Sequence, residues 1–412
     1  MAQPIVSLLD PEFHDDPVGA YARLREMAPL VPIGFPGGPP VWLITRNEDL
    51  KTALSDPRLV VDNRNVPGHH GPSLADQTIA VLDVPEKYQD DLRDYMAANM
   101  GLVDGKYHAR LRRLVTPAFS VRRMKALRPR IEEISARLLD ALARKGSGDL
   151  IEEYSSPLTG TVICELIGID EADQPQVRTW MNDYADPDAD TLTSLWNLAE
   201  YIKGLIDRRR AEPADDMISV LVQKGDEDGD RLTEAEIVSV VLVVVNNGHH
   251  STAHFIPNAI LKLLENPDQL ALLRARPDAL AHAMHELMRV ANPVPTAGPR
   301  YATEDMEFAG VPICKGDALT GSLQSANHDP RVFSEPEGCD VERVLRRGQS
   351  HAAFGAGPHY CLGAALAHLE GEIALDHLMI QRDTLEIAGR LTYHEPFPGA
   401  GAQALSTFPV RL

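Results

Sequence analysis

The chain has 412 residues, 44% of them hydrophobic and 24% charged, with a net charge of −20. That length can bury a large core and enclose a cofactor, and the acidic balance argues against a general nucleic-acid binder. Four widely spaced cysteines with no CxxC pair (Cys164, Cys314, Cys339, Cys361) are not a disulfide framework and suit a reducing compartment.

The first residues lack a basic n-region and a long apolar h-region. No apolar run approaches the roughly 20 residues that span a bilayer. The expectation is a soluble, cytoplasmic protein. Pro17 to Met27 reads as a helix, with Pro17 in the first turn where its missing N–H costs nothing. Phe35 to Pro40 reads as a surface turn, and Val41 to Thr45 as a strand leading into another helix. Residues 60–103 look less regular, and the adjacent His69 and His70 read as solvated loop. Asp104 to Arg113 opens a helix on which His108 and Arg112 stand at i and i+4 and share a face. Two such donors side by side are what a buried carboxylate pair requires. From Gly105 to Arg130 there are nine Lys/Arg and no Asp or Glu. On an acidic chain this suggests a docking surface for an acidic partner; a solvated helix face is an equal reading.

Residues 131–225 read as amphipathic helices (Ile131–Ala143, Pro157–Ile167, Gln174–Asp183, Leu192–Arg210, Met217–Gln223), with Asp186 to Asp190 as a tip between two of them. Thr233-Glu-Ala-Glu236 is a capping box. A long apolar helix follows to about Glu265, with Asn266-Pro267 as its stop. Its centre, Asn246-Asn247-Gly248-His249-His250-Ser251-Thr252-Ala253-His254, is polar, which is costly inside an apolar helix unless something binds there. His250 and His254 at i, i+4 lack the glutamate of a zinc-protease helix. Pro257 removes a backbone donor, which predicts a kink just past the cluster.

His285-Glu286-Leu-Met-Arg289 carries a Glu-x-x-Arg pair on a helix. Ala291 to Tyr301 holds Pro293, Pro295 and Pro299 and reads as extended. Tyr301 to Thr320 has the alternation of a small sheet. Near the C-terminus stands His351-Ala-Ala-Phe354-Gly355-Ala-Gly357-Pro358-His359-Tyr360-Cys361-Leu-Gly363, followed by a helical run to Met379. A thiolate at a helix N-terminus is stabilised by free amides and the dipole. The glycines suit a backbone passing close to a large flat ligand. The Phe, three Gly and Cys together should occur by chance roughly once in 10^7 windows. A cysteine nucleophile with a histidine partner is the alternative chemistry. The last residues, 390–412, suggest a hairpin with its tip at Gly399 to Leu405.

The loop resembles the haem-binding loop of cytochromes P450, Phe-Gly-x-Gly-x-His/Arg-x-Cys-x-Gly, at Phe354, Gly355, Gly357, His359, Cys361 and Gly363. The resemblance runs through most of the chain. It implies one mainly α P450 domain over residues 1–412, with a small β-sheet region enclosing haem b. Cys361 would be the axial ligand of the iron. His108, Arg112, Arg300 and His351 would lie at the haem propionates, and Phe354, Gly355, His359 and Gly363 of the loop would contact the cofactor. Glu286, Arg289 and Arg343 would form a structural cluster beneath the cofactor. Residues 60–103 would roof a substrate pocket and about 170–205 would form its lid. Asn247, Gly248, Val294 and Thr296 would line that pocket.

The long helix resembles the family's distal helix, Ala/Gly-Gly-x-Asp/Glu-Thr-Thr, with departures. His250 replaces the acid, Ser251 the first threonine, and Asn247 the usual small residue; Thr252 keeps the second threonine. In the family this acid–alcohol pair relays protons for dioxygen cleavage. His250, Ser251 and Thr252 are therefore the catalytic candidates, and the altered pair keeps two reactions open. One is hydroxylation of a small, largely apolar natural product. The other is oxidative coupling or ring formation without oxygen insertion. Electrons would come from NAD(P)H through a ferredoxin reductase and a ferredoxin. The expectation is a monomer with no membrane or nucleic-acid partner.

Overall fold

The long apolar helix of the sequence becomes the axis around which the other helices pack. The computed structural model describes residues 5–8, 10–34, 39–183, 189–223, 229–382, 384–393 and 405–412. The turn at Phe35 to Gly38, most of the tip at Asp186 to Asp190 and nearly all of the tip at Gly399 to Leu405 lie outside them. The helices that frame the centre are α1 (Gly105–Val115), α2 (Ser156–Ile167), α3 (Gln174–Asp183), α4 (Glu234–Glu265), α5 (Leu280–Val290) and α6 (Ala364–Leu375).

The expected capping box starts α4. Thr233 Oγ1 accepts the Glu236 N–H at 3.2 Å, and the Glu236 carboxylate accepts the Thr233 N–H at 2.8 Å. At 1.5 Å per residue its 32 residues span about 48 Å. The helix runs as one element through Pro257 to Glu265. It packs most extensively on α2 and also lies against α5 and α6. Val241, Val245, Ile256 and Ile260 are wholly buried in the main core with Leu158 and Ile167 of α2 and Ala374 of α6.

Six short strands form a sheet to one side, β1 (Val6–Ser7), β2 (Leu30–Gly34), β3 (Val41–Ile44), β4 (Leu59–Val60), β5 (Arg300–Ala302) and β6 (Ala318–Gly321). Their order is β1-β2-β3-β6-β5-β4. The parallel pairing of β3 with β6 sews the first 60 residues onto the segment that carries Arg300. The expected small sheet therefore forms, and Ala291 to Pro299 is largely extended. Of the C-terminal hairpin, Thr392–Tyr393 pairs with Leu405–Thr407, while Pro409–Arg411 turns away to pair with Ser147–Asp149 and Glu386–Ile387.

Two helices, Leu74–Val81 and Glu86–Ala97, occupy the stretch that reads as irregular. Their proline-rich flanks hide them, although Ser73 caps the first by accepting the Asp76 N–H. The helix expected from Ile131 begins ten residues earlier, at Val121, and passes through Pro129. No helix among the described residues is long and apolar enough to cross a membrane.

Candidate active site

Cys361 sits at the end of the glycine loop, three residues before α6. Its position is set by backbone. The Cys361 N–H donates to Phe354 O at 3.0 Å, so the loop closes on itself. Gly355 and Gly357 both have positive φ, 71° and 69°. A Cβ on Gly357 would stand 2.4 Å from the Leu54 carbonyl oxygen, so only glycine fits there. The sulfur is exposed, yet surrounding protein desolvates it and pushes the thiol pKa up. The amides of Gly363 and Ala364 and the charge of Arg112 oppose that rise. No histidine among the described residues hydrogen-bonds the sulfur, which leaves the nucleophilic alternative without its base.

Around the loop lie four basic side chains. The rings of His108 and His359 stack with centroids 4.1 Å apart. Arg112 Nη2 donates to the Tyr360 carbonyl at 2.6 Å. Arg300 is buried and, among the described residues, donates only to the carbonyls of Gly298 and Pro299 beside it. Burial first, then the charges of its neighbours, lowers the pKa of His108 and holds His359 at about 4. Burial also lowers the Arg112 and Arg300 pKa values. Asp104 is the one acid that counters this at His108, His359 and Arg300, and its oxygens accept from the amides of Val61 and Asp62 and from the Asn65 side chain. His108 Nε2 is buried with no hydrogen-bond partner among the described residues.

Four basic groups thus share a single nearby carboxylate, that of Asp104, among the described residues. A flat ligand bearing two carboxylates and a metal that takes a thiolate would complete the cluster. Haem b fits these residues: Cys361 could hold the iron, and His108, Arg112, Arg300 and His359 the propionates.

His351 stands elsewhere. Its ring packs against His285 and Phe354, and the charges that act on it are His285, His368, Lys51 and Arg289, none of which is shared with His359. The expected propionate role for His351 is corrected by this placement. Arg110, beside Arg112 in sequence, also turns away and pairs with Asp230 and Glu236 at the start of α4.

Beneath the loop the three expected partners meet. Arg289 is 1% exposed and binds Glu286 through two bonds of 2.7 and 2.8 Å. Arg343 Nε reaches the same carboxylate at 2.9 Å, and the Asp340 N–H donates to it at 2.9 Å. Burial pushes the Glu286 pKa up, but these donors outweigh it and the carboxyl ends below its ordinary value. The remaining Arg289 donors bind the carbonyls of Asn327, Pro336 and Gly338. Asn327 Oδ1 in turn accepts the Ala352 N–H at 2.7 Å. The segment Asn327-His328-Asp329-Pro330 thus links the buried cluster to the loop that carries Cys361.

On α4, accessible residues recur at helical spacing through the middle of the helix: Val243, Asn247, Ser251. This stripe is an accessible face of α4. Ser251 Oγ donates to the Asn247 carbonyl at 2.6 Å, the back-bond usual for an alcohol inside a helix. Gly248 lies off the stripe: a Cβ there would meet Ile163 of α2 at 2.7 Å, so the residue serves the approach of two helices instead of lining a pocket. His250 also turns from the stripe, donating from Nε2 to the Met181 carbonyl of α3 at 3.0 Å. His249 is buried against Thr159 and Asn182, and burial takes its pKa down to about 3. The central histidines therefore bind α4 to the helix expected as a lid. Val294 is exposed and Thr296 bridges to Ser322, both on the extended segment before Arg300. A cleft of about 500 Å³ lies between Gly298–Tyr301 and the residues 61–64, 71–76 and 93–102; Val294 and Thr296 do not line it.

Thr252 is buried and faces Glu370 of α6. Sequence reasoning passed over Glu370; the signal was a carboxylate amid the apolar residues of a helix. It is fully buried, and neither oxygen has a partner of good geometry. Burial raises its pKa well above the ordinary value, with Thr252 opposing. Below the unfolded pKa both states hold the proton. Above it the unfolded chain releases the proton and the folded chain does not, so stability falls as pH rises towards the folded pKa. Glu370→Gln should therefore raise Tm at neutral pH by roughly a few °C, a gain that shrinks towards pH 4. Melting curves across pH check this; a gain that is flat with pH would contradict a neutral buried acid.

The chain matches the family Cytochrome P450 over residues 189–389. It is 39% identical over 367 residues to 6-deoxyerythronolide B hydroxylase of Saccharopolyspora erythraea, covering 88% of each chain. Its structure is similar to that of PksS, a bacillaene polyketide synthase P450 of Bacillus subtilis 168, with a TM-score of 0.84, 32% identity and 97% and 98% of the two chains covered. It is likewise similar to CxnD, a P450 for C–S bond formation in chuangxinmycin biosynthesis, with a TM-score of 0.82, 29% identity and 100% and 98% coverage. The mainly helical fold with small sheets, the glycine-loop cysteine and these relatives agree: the chain belongs to the cytochrome P450 family and its cofactor is haem b.

Proposed function

We propose that this P450 inserts one oxygen atom of dioxygen into a small, largely apolar natural product, with two electrons and two protons reducing the other atom to water. The observation that carries the reading is Cys361 on its glycine loop, with His108, Arg112, Arg300 and His359 around it and Asp104 the acid that acts on three of these four. Bound there, haem supplies the activation of dioxygen and the oxidising power. Cys361 ligates the iron, and two backbone amides tune its sulfur. His108, Arg112, Arg300 and His359 hold the propionates. Glu286, Arg289 and Arg343 hold the loop.

The substrate lies against the stripe of Val243, Asn247 and Ser251, with Val294 and Thr296 as further contacts. Ser251 can release the Asn247 carbonyl and turn its hydroxyl to the cavity, where it passes a proton. Thr252 positions the helix against Glu370. Residues 1–412 act as one domain, supported by the pairing of β3 with β6.

Electrons arrive from NAD(P)H through a reductase and a ferredoxin. Arg123, Arg128 and Arg130 of the basic strip, like Arg110, are paired with acids of this chain. Lys106, Arg122 and Lys125 are exposed, and they support a docking face for an acidic donor.

A second reading is oxidative coupling without oxygen insertion. It is favoured by His250, which stands at the acid position yet is bound to Met181, and by the likeness to a P450 that forms a C–S bond. Turnover under labelled dioxygen separates the two. Incorporated label supports insertion; loss of two hydrogens without label sinks it. Ser251→Ala should divert electrons into peroxide by about tenfold or more relative to product. Unchanged peroxide leakage would place Ser251 outside the proton path.

A further inference from the structure

Three histidines from three separate elements meet on the far side of Phe354. His285 lies on α5, next to Glu286. His351 lies in the loop before Phe354, and His368 on the second turn of α6. Their rings are close, with centroids 5.0 Å apart for His285 and His368 and 5.9 Å apart for His285 and His351. One nitrogen from each lies within 4.8 Å of the other two.

Nothing in the P450 reaction uses this group. Packing alone does not call for three imidazoles, because buried polar rings must find partners. The one hydrogen bond to His351, from the Ala353 N–H to Nδ1, is long at 3.3 Å. We propose that His285, His351 and His368 form a binding site for one divalent transition-metal ion of the zinc class.

The chemistry of the donors agrees. Three neutral imidazoles with a fourth position open to solvent or a further ligand suit Zn²⁺, with Cu²⁺ and Ni²⁺ as competitors. Zn–N bonds of about 2.0–2.1 Å require each nitrogen to move inward by less than about 1 Å, within reach of small χ changes. Metal binding through one nitrogen leaves the other to carry the ring proton, so the long Ala353 contact gives way. Burial holds His351 and His368 at pKa values of about 3 and about 4, hence as neutral rings. His285 is exposed and gives the ion a way in. The cations that act on His351 are Lys51, paired with Glu48, and Arg289, which shares Glu286 with Arg343.

A metal here would staple α5, the Cys361 loop and α6 together. Its effect would be structural, tightening the frame that holds the cofactor.

Titration calorimetry of tag-free, haem-loaded protein with Zn²⁺ tests the proposal. One ion should bind per chain. His285→Ala and His368→Ala should each weaken binding by more than about tenfold, and the double variant should lose it while keeping its haem spectrum. Zn²⁺ should also raise the Tm of the wild type by roughly a few °C and leave the double variant unmoved. Wild-type crystals grown with zinc give a readout that needs no variant: anomalous density among the three rings supports the site. Absence of binding, binding that survives the double variant, or density only at other histidines such as His69 and His70 would overturn it. None of these outcomes bears on the haem site, because the test reads zinc alone.

Discussion

Glu286→Ala costs the protein about 3–5 kcal/mol and most of its haem. Among the described residues the carboxylate is the sole acid paired with two guanidiniums, Arg289 and Arg343, at 2.7 to 2.9 Å. Removing it leaves two cations in a region where Arg289 is 1% exposed. Water cannot replace the lost charge there, and the Asp340 amide loses its acceptor too. The damage then reaches the cofactor. Arg289 holds the Asn327 carbonyl, and the Asn327 side chain holds the Ala352 amide, two residues before Phe354. Chemical denaturation and the haem-to-protein ratio after purification measure both effects. A stable, fully haem-loaded Glu286→Ala protein would show that the cluster does not carry the loop.

The second large effect is at Cys361. Cys361→Ala should leave the fold intact, because the side chain is exposed and makes no core contact. It should nevertheless abolish the thiolate-type carbon monoxide spectrum and reduce turnover by several orders of magnitude, roughly 10³-fold or more, since no other sulfur is near. Cys164 and Cys339 are buried, with thiols pushed up to about 12 and about 11, and Cys314 lies on the sheet side of the molecule. Retention of a thiolate-type spectrum in this variant would move the ligand elsewhere.

The two sites differ in how far the sequence disclosed them. Cys361, Phe354 and the glycines lie within ten residues, so local spacing alone defines their loop. Glu286 and Arg343 are far apart in sequence, yet their partnership is legible because Glu-x-x-Arg sits on one helix face and the family spacing supplies the third member. Side-chain direction was not legible in the same way. His250 occupies the acid position of the distal helix, but whether it faces the cavity depends on the rotation of α4 against α2 and α3. That rotation is set by the packing of Gly248 on Ile163 and of His249 on Thr159.

His351 shows a second limit. Its nearness to Phe354 in sequence suggested the propionates, whereas its ring belongs with two histidines on α5 and α6. No linear pattern announces a cluster built from three elements. Glu370 was hidden for a related reason: its burial depends on α6 lying against α4, which composition does not reveal. The helices at Leu74–Val81 and Glu86–Ala97 were masked by prolines at their flanks, where loop signals and helix-start signals overlap.

The measurement that bears most directly on the account is the absorption spectrum of the wild-type, haem-loaded protein, reduced and exposed to carbon monoxide. Ligation by Cys361 predicts the red-shifted Soret band of a thiolate-bound haem. A band of the imidazole-ligated type, or a protein that cannot be loaded with haem at all, would contradict the assignment of Cys361 and the reaction built on it.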